Sequence, residues 1–490
     1  MKKKRQNFTI LHSNDMHGDF MAEVEEGSGK LIGGLGLLSG YINKVRLEEE
    51  NVIYTISGDM IQGSIIDTEF KGVSTIELMN FLSPDVVTLG NHELDYGLPH
   101  LLFLEKVANF PIVNANLYIK HYGKRLMTPY KIINVGGFEI MFIGIITETV
   151  MDKLALDDLI GTFVTIEDAA EEVGKICNAY RNYDIDLTVV LTHIGFESDL
   201  KFASLLNPEW GVDMILGGHT HTVLDQPEIV NDIIIAQAGY GTDQIGRFDI
   251  VVDESSNSII DWKWQLVPIN NETAPLDHSL EKFLNSYKDR VDEKYNVIIS
   301  RLSKQVTHPE REEETSLGNL FADALADSAQ TDVMLLGSGS IRAHEMGPVV
   351  TLGSLKEGFP YEDSLIKYSI TGKQVKNIFN HFMRIENRNG EGEFFQVNDA
   401  VEAIYSESKS KLIKLNILGK EVKNNIKYTI TVQGYHAANS DKNLGISSSE
   451  LTAFGPGSVV STSDYDVIEE WLRTHPNVNE EVEGRLVFKN

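Results

Sequence analysis

Along the first half of the chain one pattern recurs: a short apolar run of β-forming residues, then glycine or polar residues, then a stretch with helical spacing. "FTILHS" runs into "NDMHGDF", "VIYTIS" into "GDMIQG", "DVVTL" into "GNHELD", "DLTVVL" into "THIGFE" and "VDMIL" into "GGHTH". "FEIMFIGII" adds a further strand, while "GLLSGYINKVRLEEE" and "PHLLFLEKVANF" read as helices. Strands alternating with helices predict an α/β sandwich. From Leu276 to Val297 the chain is helical and highly charged, with Leu280, Phe283, Leu284 and Tyr287 on one stripe, and it reads as a helix joining two domains. Beyond it, "LGNLFADALADSA" is helical, "TDVMLLGSGSIRA" is a strand entering a Gly-rich turn, "KYSITGKQVKNIFNHFMR" is strand then helix, "KYTITVQGY" a late strand and "SDYDVIEEWLRTH" a late helix, which together make a second α/β domain. The expected division is residues 7–274, a linker helix over 275–297 and a second domain over 298–490.

Composition narrows the classes. A chain of 490 residues suggests two or three domains at roughly 100–200 residues each. Hydrophobic residues at 42% suffice for buried cores, and a net charge of −29 argues against binding nucleic-acid polymers or anionic membranes. The single cysteine, Cys177, excludes an internal disulfide and reads as a small buried hydrophobe. The basic start "MKKKRQNFTILHSND" is not followed by an apolar segment of about 7–15 residues or by a small-residue cleavage site. No apolar run of about 18 residues marks a membrane span. A cytoplasmic protein is the expectation, with export from a longer precursor left open.

The five strand ends carry the chemistry. Asp15 and His17 are two apart in "NDMHG", Asp59 lies in "SGDM", Asn91 and His92 in "GNHE", His193 in "LTHIG", and His219 and His221 are two apart in "GGHTH". Any one of these alone suits a turn or a satisfied core histidine. Together they hold five of the chain's 14 histidines, and ligands collect beyond the carboxyl ends of strands in open α/β sheets. The seven side chains Asp15, His17, Asp59, Asn91, His193, His219 and His221 are therefore expected to converge. Extended backbone would point each i, i+2 pair the same way. Oxygen and imidazole donors without thiolate suit Zn, Mn, Fe or Co. Seven donors exceed one tetrahedral ion, so two divalent ions sharing a carboxylate are expected, an arrangement suited to displacement at phosphorus.

These motifs, in this order, resemble the calcineurin-like metallophosphoesterases, and the continuation through the helix and second domain resembles the 5'-nucleotidase family. The resemblance implies an N-terminal αββα sandwich and a C-terminal α/β nucleotide-binding domain. It implies one metal on Asp15, His17, Asp59 and His221 and another on Asp59, Asn91, His193 and His219, with Asp59 bridging and a hydroxide between the metals attacking phosphorus in line. His92 would contact the phosphoryl group and Asp95 would orient it. Glu93 is left as a helix-start carboxylate.

In the second half the same resemblance implies a phosphate-binding Arg311 in "REEETSLGN", Arg342 in "GSGSIRA", an aromatic clamp of Tyr361 in "FPYED" and Tyr435 in "QGYHAANSD", and Asp441 at the ribose. Gly337 stands where asparagine is usual, and Asn439-Ser440 where Gly-Gly is usual. The implied activity is 5'-nucleotidase-type hydrolysis of a small-molecule nucleotide. A 2',3'-cyclic-nucleotide phosphodiesterase or a nucleotide-sugar or dinucleotide hydrolase on the same site is the alternative, and a non-catalytic metal-dependent nucleotide-binding protein is the alternative from another class. A purple acid phosphatase would need a tyrosine where Gln62 stands.

Overall fold

The computed structural model describes residues 5–25, 27–119, 123–147, 165–253, 255–388 and 393–489. The chain divides into two compact units, Met1–Val291 and Asp292–Asn490. Among the described residues no helix is long and apolar enough to cross a membrane.

The first unit is built on two six-stranded sheets. Its strands are β1 (Arg5–Ser13), β2 (Val52–Ser57), β3 (Val86–Thr88), β4 (Ile112–Val113), β5 (Tyr130–Val135), β6 (Phe138–Ile146), β7 (Leu187–His193), β8 (Met214–Leu216), β9 (Glu228–Val230), β10 (Ile233–Ala236), β11 (Gln244–Asp253) and β12 (Ser258–Pro268). One sheet runs β12-β11-β1-β2-β3-β4, the other β9-β10-β8-β7-β6-β5. The centre of each is parallel: β1 to β4 in the first and β6, β7, β8 and β10 in the second. Parallel strands are buried on both faces and read as continuous apolar runs, which is why "TVVL" and "VIYTI" carry no alternation.

Phe8, Ile10, Ile53 and Val86 of the first sheet meet Phe138, Phe142, Val189 and Met214 of the second in one core between the sheets. Helices α1 (Leu35–Glu48) and α2 (Val73–Leu82) lie on the side of the first sheet. Helices α3 (Ile166–Ala179) and α4 (Phe196–Leu205) cover the second, with Val173, Ile176 and Phe202 against Ile143, Val190 and Ile215. The result is the four-layer αββα sandwich. The long antiparallel hairpin β11–β12 edges the first sheet; the sequence reading did not single it out.

Helix α5 spans His278–Tyr295. Its first turns are not a free spacer. Leu280 and Leu284 are buried, Phe283 stacks on Phe81, Tyr287 meets Phe70 edge to face, and the Tyr287 hydroxyl donates to Glu77. The division of the chain falls inside this helix, after Val291.

The second unit centres on a five-stranded sheet. Its strands are β13 (Val333–Gly337), β14 (Leu365–Thr371), β15 (Phe395–Val397), β16 (Lys427–Gln433) and β17 (Ser458–Ser461), in the order β15-β13-β16-β14-β17. Period-two alternation sorts its residues to two cores. Val333 and Leu335 pack with Val375, Ile378 and Phe379 of α7 (Gly372–Phe382). Met334 and Leu336 pack with Leu320 and Phe321 of α6 (Ser316–Ala329) and Ile468 and Leu472 of α8 (Asp464–Thr474).

Candidate metal centre

Five parallel strands, three from one sheet and two from the other, end at the same place. Asp15, Asp59 and Asn91 follow β1, β2 and β3; His193 is the last residue of β7; His219 and His221 follow β8. Cross-sheet hydrogen bonds fasten these ends together: the Ser57 hydroxyl donates to the Leu216 carbonyl at 2.7 Å, and His193 Nδ1–H donates to the Ser57 carbonyl at 2.7 Å. The six Asp and His side chains among the expected donors lie in close groups, and Asn91 follows β3 at the same strand ends. Asp15, His17 and His221 form one group of ligand atoms within 4.8 Å of one another, and Asp59, His193 and His219 form another.

The backbone argument for this convergence differs from the sequence expectation. The i, i+2 pairs are not in extended conformation. Asp15, His17, Asp59, His219 and His221 have φ of 51°, 48°, 50°, 86° and 54°. Non-glycine residues enter this left-handed region rarely and cluster there at functional sites. Each strand is turned sharply at its end, and the turn aims the side chain across the sheet ends. Glycines make room: a Cβ on Gly90 would collide with Asp59, and one on Gly58 with the Gly90 amide and the His193 ring.

The donor atoms crowd against one another. His17 Nδ1–H donates to the Gln62 carbonyl at 3.1 Å, so its Nε2 lone pair meets Nε2 of His221 at 3.0 Å. His193, committed through Nδ1, places Nε2 3.1 Å from Asp59 Oδ2. Nε2 of His193 and Oδ1 of Asn91 are buried without a hydrogen-bond partner. Clustered imidazole and carboxylate atoms with buried atoms left unpartnered are what a cation would satisfy, so the residues fit divalent metal. Protonation is the competing solution. Burial opposes a charged His193, but the Asp59 and Asp15 carboxylates outweigh it and push its pKa up to about 9. Burial alone would raise Asp59, but the imidazoles of His193, His92 and His17 hold it well below the usual carboxylate range.

His92 stands beside the centre. Its backbone N–H donates to Asp59 Oδ1 at 2.8 Å, and its Nδ1 meets Asp95 Oδ2 at 2.5 Å. Together with His17 and Asp59 it offers atoms within 4.8 Å of one another.

Glu93 is the helix-start carboxylate of the sequence reading, and it does more than that. It is 2% exposed. Besides sitting in the first turn of the short helix His92–Leu94, its carboxylate accepts the Asp59 and Gly90 amides on Oε2 at 3.0 and 2.6 Å and the Met60 amide on Oε1 at 2.8 Å. It ties the β2 loop to the β3 loop. Burial and the nearby Asp59 charge push its pKa up to about 7. Asn14 was also missed: it donates to Asp15 Oδ2 at 2.7 Å and to the Gly239 carbonyl at 2.6 Å, and accepts from the Ala238 amide. Neither role shows in residue type; both depend on which amides the loops bring near.

In the second unit, Arg311, Arg342, Tyr361 and Tyr435 line one cavity of about 490 Å³ together with Gln433 and His436. Arg342 donates to the Tyr361 hydroxyl at 2.6 Å and lies over its ring. Tyr361 and Tyr435 are 40% and 63% exposed. Asp441 does not line this cavity; it sits exposed in the short helix Ser440–Asn443.

Comparison with known proteins agrees with this architecture. Residues 8–223 match the family model described as calcineurin-like phosphoesterase, and residues 296–445 match the one described as 5'-nucleotidase, C-terminal domain. The chain is 27% identical over 531 residues to the trifunctional nucleotide phosphoesterase protein YfkN of Bacillus subtilis, covering 98% of this chain and 35% of that protein. It therefore spans about a third of that relative's length. It is 25% identical over 540 residues to the 5'-nucleotidase of Mus musculus, covering 98% and 90%. The crystal structure of a 5'-nucleotidase precursor from Thermus thermophilus shares the fold, with a TM-score of 0.74 at 23% identity over 99% of this chain and 100% of that one. The two family models fall in order on its two units, a calcineurin-like phosphoesterase domain followed by a 5'-nucleotidase C-terminal domain.

Proposed function

We propose that this protein is a divalent-metal-dependent phosphohydrolase that removes phosphate from nucleotides, with 5'-monophosphates as its first substrates. The carrying observation is the grouping of six Asp and His donors at the ends of five strands, with the buried, unpartnered Asn91 Oδ1 following one of them, beside the His92–Asp95 pair. Two ions, each Zn, Mn, Fe or Co, would be held by Asp15, His17, Asp59 and His221 and by Asp59, Asn91, His193 and His219. Such ions supply Lewis-acid polarisation of phosphoryl oxygens and a nucleophilic water at neutral pH.

The chain's own groups do the rest. Asp95 accepts His92 Nδ1–H, fixes the tautomer, and stabilises the imidazolium that forms when the ring carries a second proton. His92 then stabilises charge on the phosphoryl group and protonates the departing nucleoside oxygen. Arg311 and Arg342 supply cationic donors in the second unit's cavity, Tyr361 and Tyr435 supply faces for a base, and stacking is worth roughly 1–3 kcal/mol per base. Asp441, outside that cavity, keeps its proposed ribose contact only if a bound nucleoside extends past Tyr435.

The test is phosphate release with Mn²⁺ or Co²⁺ across AMP, other 5'-monophosphates, 3'-AMP, ATP, UDP-glucose, 2',3'-cyclic AMP and bis(p-nitrophenyl) phosphate, repeated with added phosphatase to reveal diester products. Direct release from 5'-monophosphates is the expected result. Activity confined to diesters would keep the metal centre and replace the substrate. Silence on all of them, with metals bound, would overturn the enzymatic reading.

A further inference from the structure

The cavity of the second unit holds a histidine that no part of the proposed reaction uses. His436 is 3% exposed, yet it lines the cavity beside Tyr435. Its ring is fixed on two sides, edge to face with Phe395 at 5.1 Å and with Tyr435 at 5.2 Å. The Asn443 amide donates to its Nδ1 at 3.0 Å, so the ring proton resides on Nε2. Burial lowers its pKa to about 4, which keeps the ring neutral and the tautomer single near pH 7.

Nε2 reaches the space above Gly337, the last residue of β13, where any Cβ would run into it. The missing side chain is therefore what admits the histidine. The strand end is held in place from below: the Gly337 amide donates to Gln433 Oε1 at 3.0 Å, and Gln433 Nε2 donates to Asp464 Oδ2 at 2.7 Å. The Nε2–H donor is thus rigidly held in the wall of a cavity whose exposed rings suit a planar ligand.

Resting on the nucleotide reading above, we propose that His436 reads the nucleobase: its Nε2–H donates to a ring-nitrogen or carbonyl acceptor on the edge of a base stacked at Tyr435, with Gly337 providing the opening. A site built to hydrogen-bond one edge rejects analogues that lack the acceptor more strongly than an apolar slot rejects them. His436 is thus a specificity residue, and it takes no part in the chemistry at phosphorus.

The experiment compares wild type, His436→Leu, His436→Gln and Gly337→Ala on AMP, its 1-deaza, 3-deaza and 7-deaza analogues, the other 5'-monophosphates, and the base-free esters ribose 5-phosphate and p-nitrophenyl phosphate. The expected result for His436→Leu is a roughly 10- to 100-fold fall in kcat/KM on preferred nucleotides, carried by KM, with the base-free esters unchanged. One deaza analogue should be poor for wild type and no worse for His436→Leu than AMP is. His436→Gln, which keeps an N–H donor, should recover part of the loss. Gly337→Ala, which displaces the ring, should reproduce it. Equal losses on base-bearing and base-free esters would overturn the proposal in favour of a structural role, and unchanged base selectivity in both His436→Leu and Gly337→Ala would overturn it outright. Failure of the underlying nucleotide reading is seen separately, in wild type: it would treat AMP no better than ribose 5-phosphate.

Discussion

Glu93 shows how a carboxylate next to a metal centre can matter without touching metal. It accepts three backbone amides from two loops. Glu93→Gln keeps the shape but turns an amide NH₂ toward N–H donors. Metal affinity is expected to fall about 10- to 100-fold, read by Mn²⁺ titration, with the fold retained by circular dichroism. His92→Ala separates ligand from catalyst: kcat should drop roughly 10²- to 10⁴-fold while elemental analysis still finds the metals. Asp199 makes a different prediction. It is fully buried, accepts from Thr192 at 2.6 Å and from Gln237 Nε2 at 2.8 Å, and burial pushes its pKa up to about 7 from 3.8. A raised folded pKa means the native state binds this proton more tightly than the unfolded chain. Its stabilising effect is full below about pH 4 and declines as pH rises to about 7. Asp199→Asn, with the Gln237 amide turned so that its unpartnered Oε1 accepts, keeps both hydrogen bonds and removes the charge. The variant should match wild type near pH 4 and exceed it above pH 7 by about 2–4 kcal/mol, measured by denaturant unfolding at the two pH values.

At the scale of elements, the strands of the parallel centres were legible because burial on both faces writes them as unbroken apolar runs, and "FEIMFIGII" coincides with Phe138–Ile146. The site residues were legible because polar types pile up directly after those runs. The turns were not legible. Asp15, His17, Asp59, His219 and His221 adopt positive φ; Asp and His enter that region more readily than most residues, but the preference is too weak to mark which of them do so. Helix α5 was recognised by its stripe, but not its hold on Phe70, Glu77 and Phe81, which are distant in sequence. In the second unit the pattern gave strands and helices, whereas the distance of Asp441 from the cavity depends on one short turn after Tyr435. Gly90 tests the loop geometry. A methyl group there collides with Asp59, so Gly90→Ala should abolish tight metal binding and cut kcat/KM at least about 100-fold, more than a side-chain change of that size at an open surface would.

For the molecule as a whole, the centre is framed by main-chain hydrogen bonds that need no ion: the Asp15 amide to the Gly58 carbonyl at 3.1 Å, His17 to Asp59 at 3.0 Å and Gly18 to Met60 at 3.0 Å. Stripping metal with EDTA should leave the far-ultraviolet spectrum unchanged. It should lower the Tm of the first unit by roughly 5–15 °C, taking about 3 kcal/mol per ion at a hundredfold excess over Kd, and added Mn²⁺ should restore it. The net charge of −29 adds a long-range repulsion for an anionic substrate, so KM for AMP should fall as salt rises from about 20 to 150 mM, across which the screening length shortens to about 8 Å. The Glu93 clamp has a further consequence for how ions come and go. Because three amides already hold the β2 and β3 loops together, the conformational entropy of those loops is lost when the chain folds, not when an ion arrives. Binding then orders little, so coordination energy converts into affinity with small loss. One ion can also leave and another enter without the loops melting between them, which makes the centre a socket for exchange rather than a fold assembled around its metal.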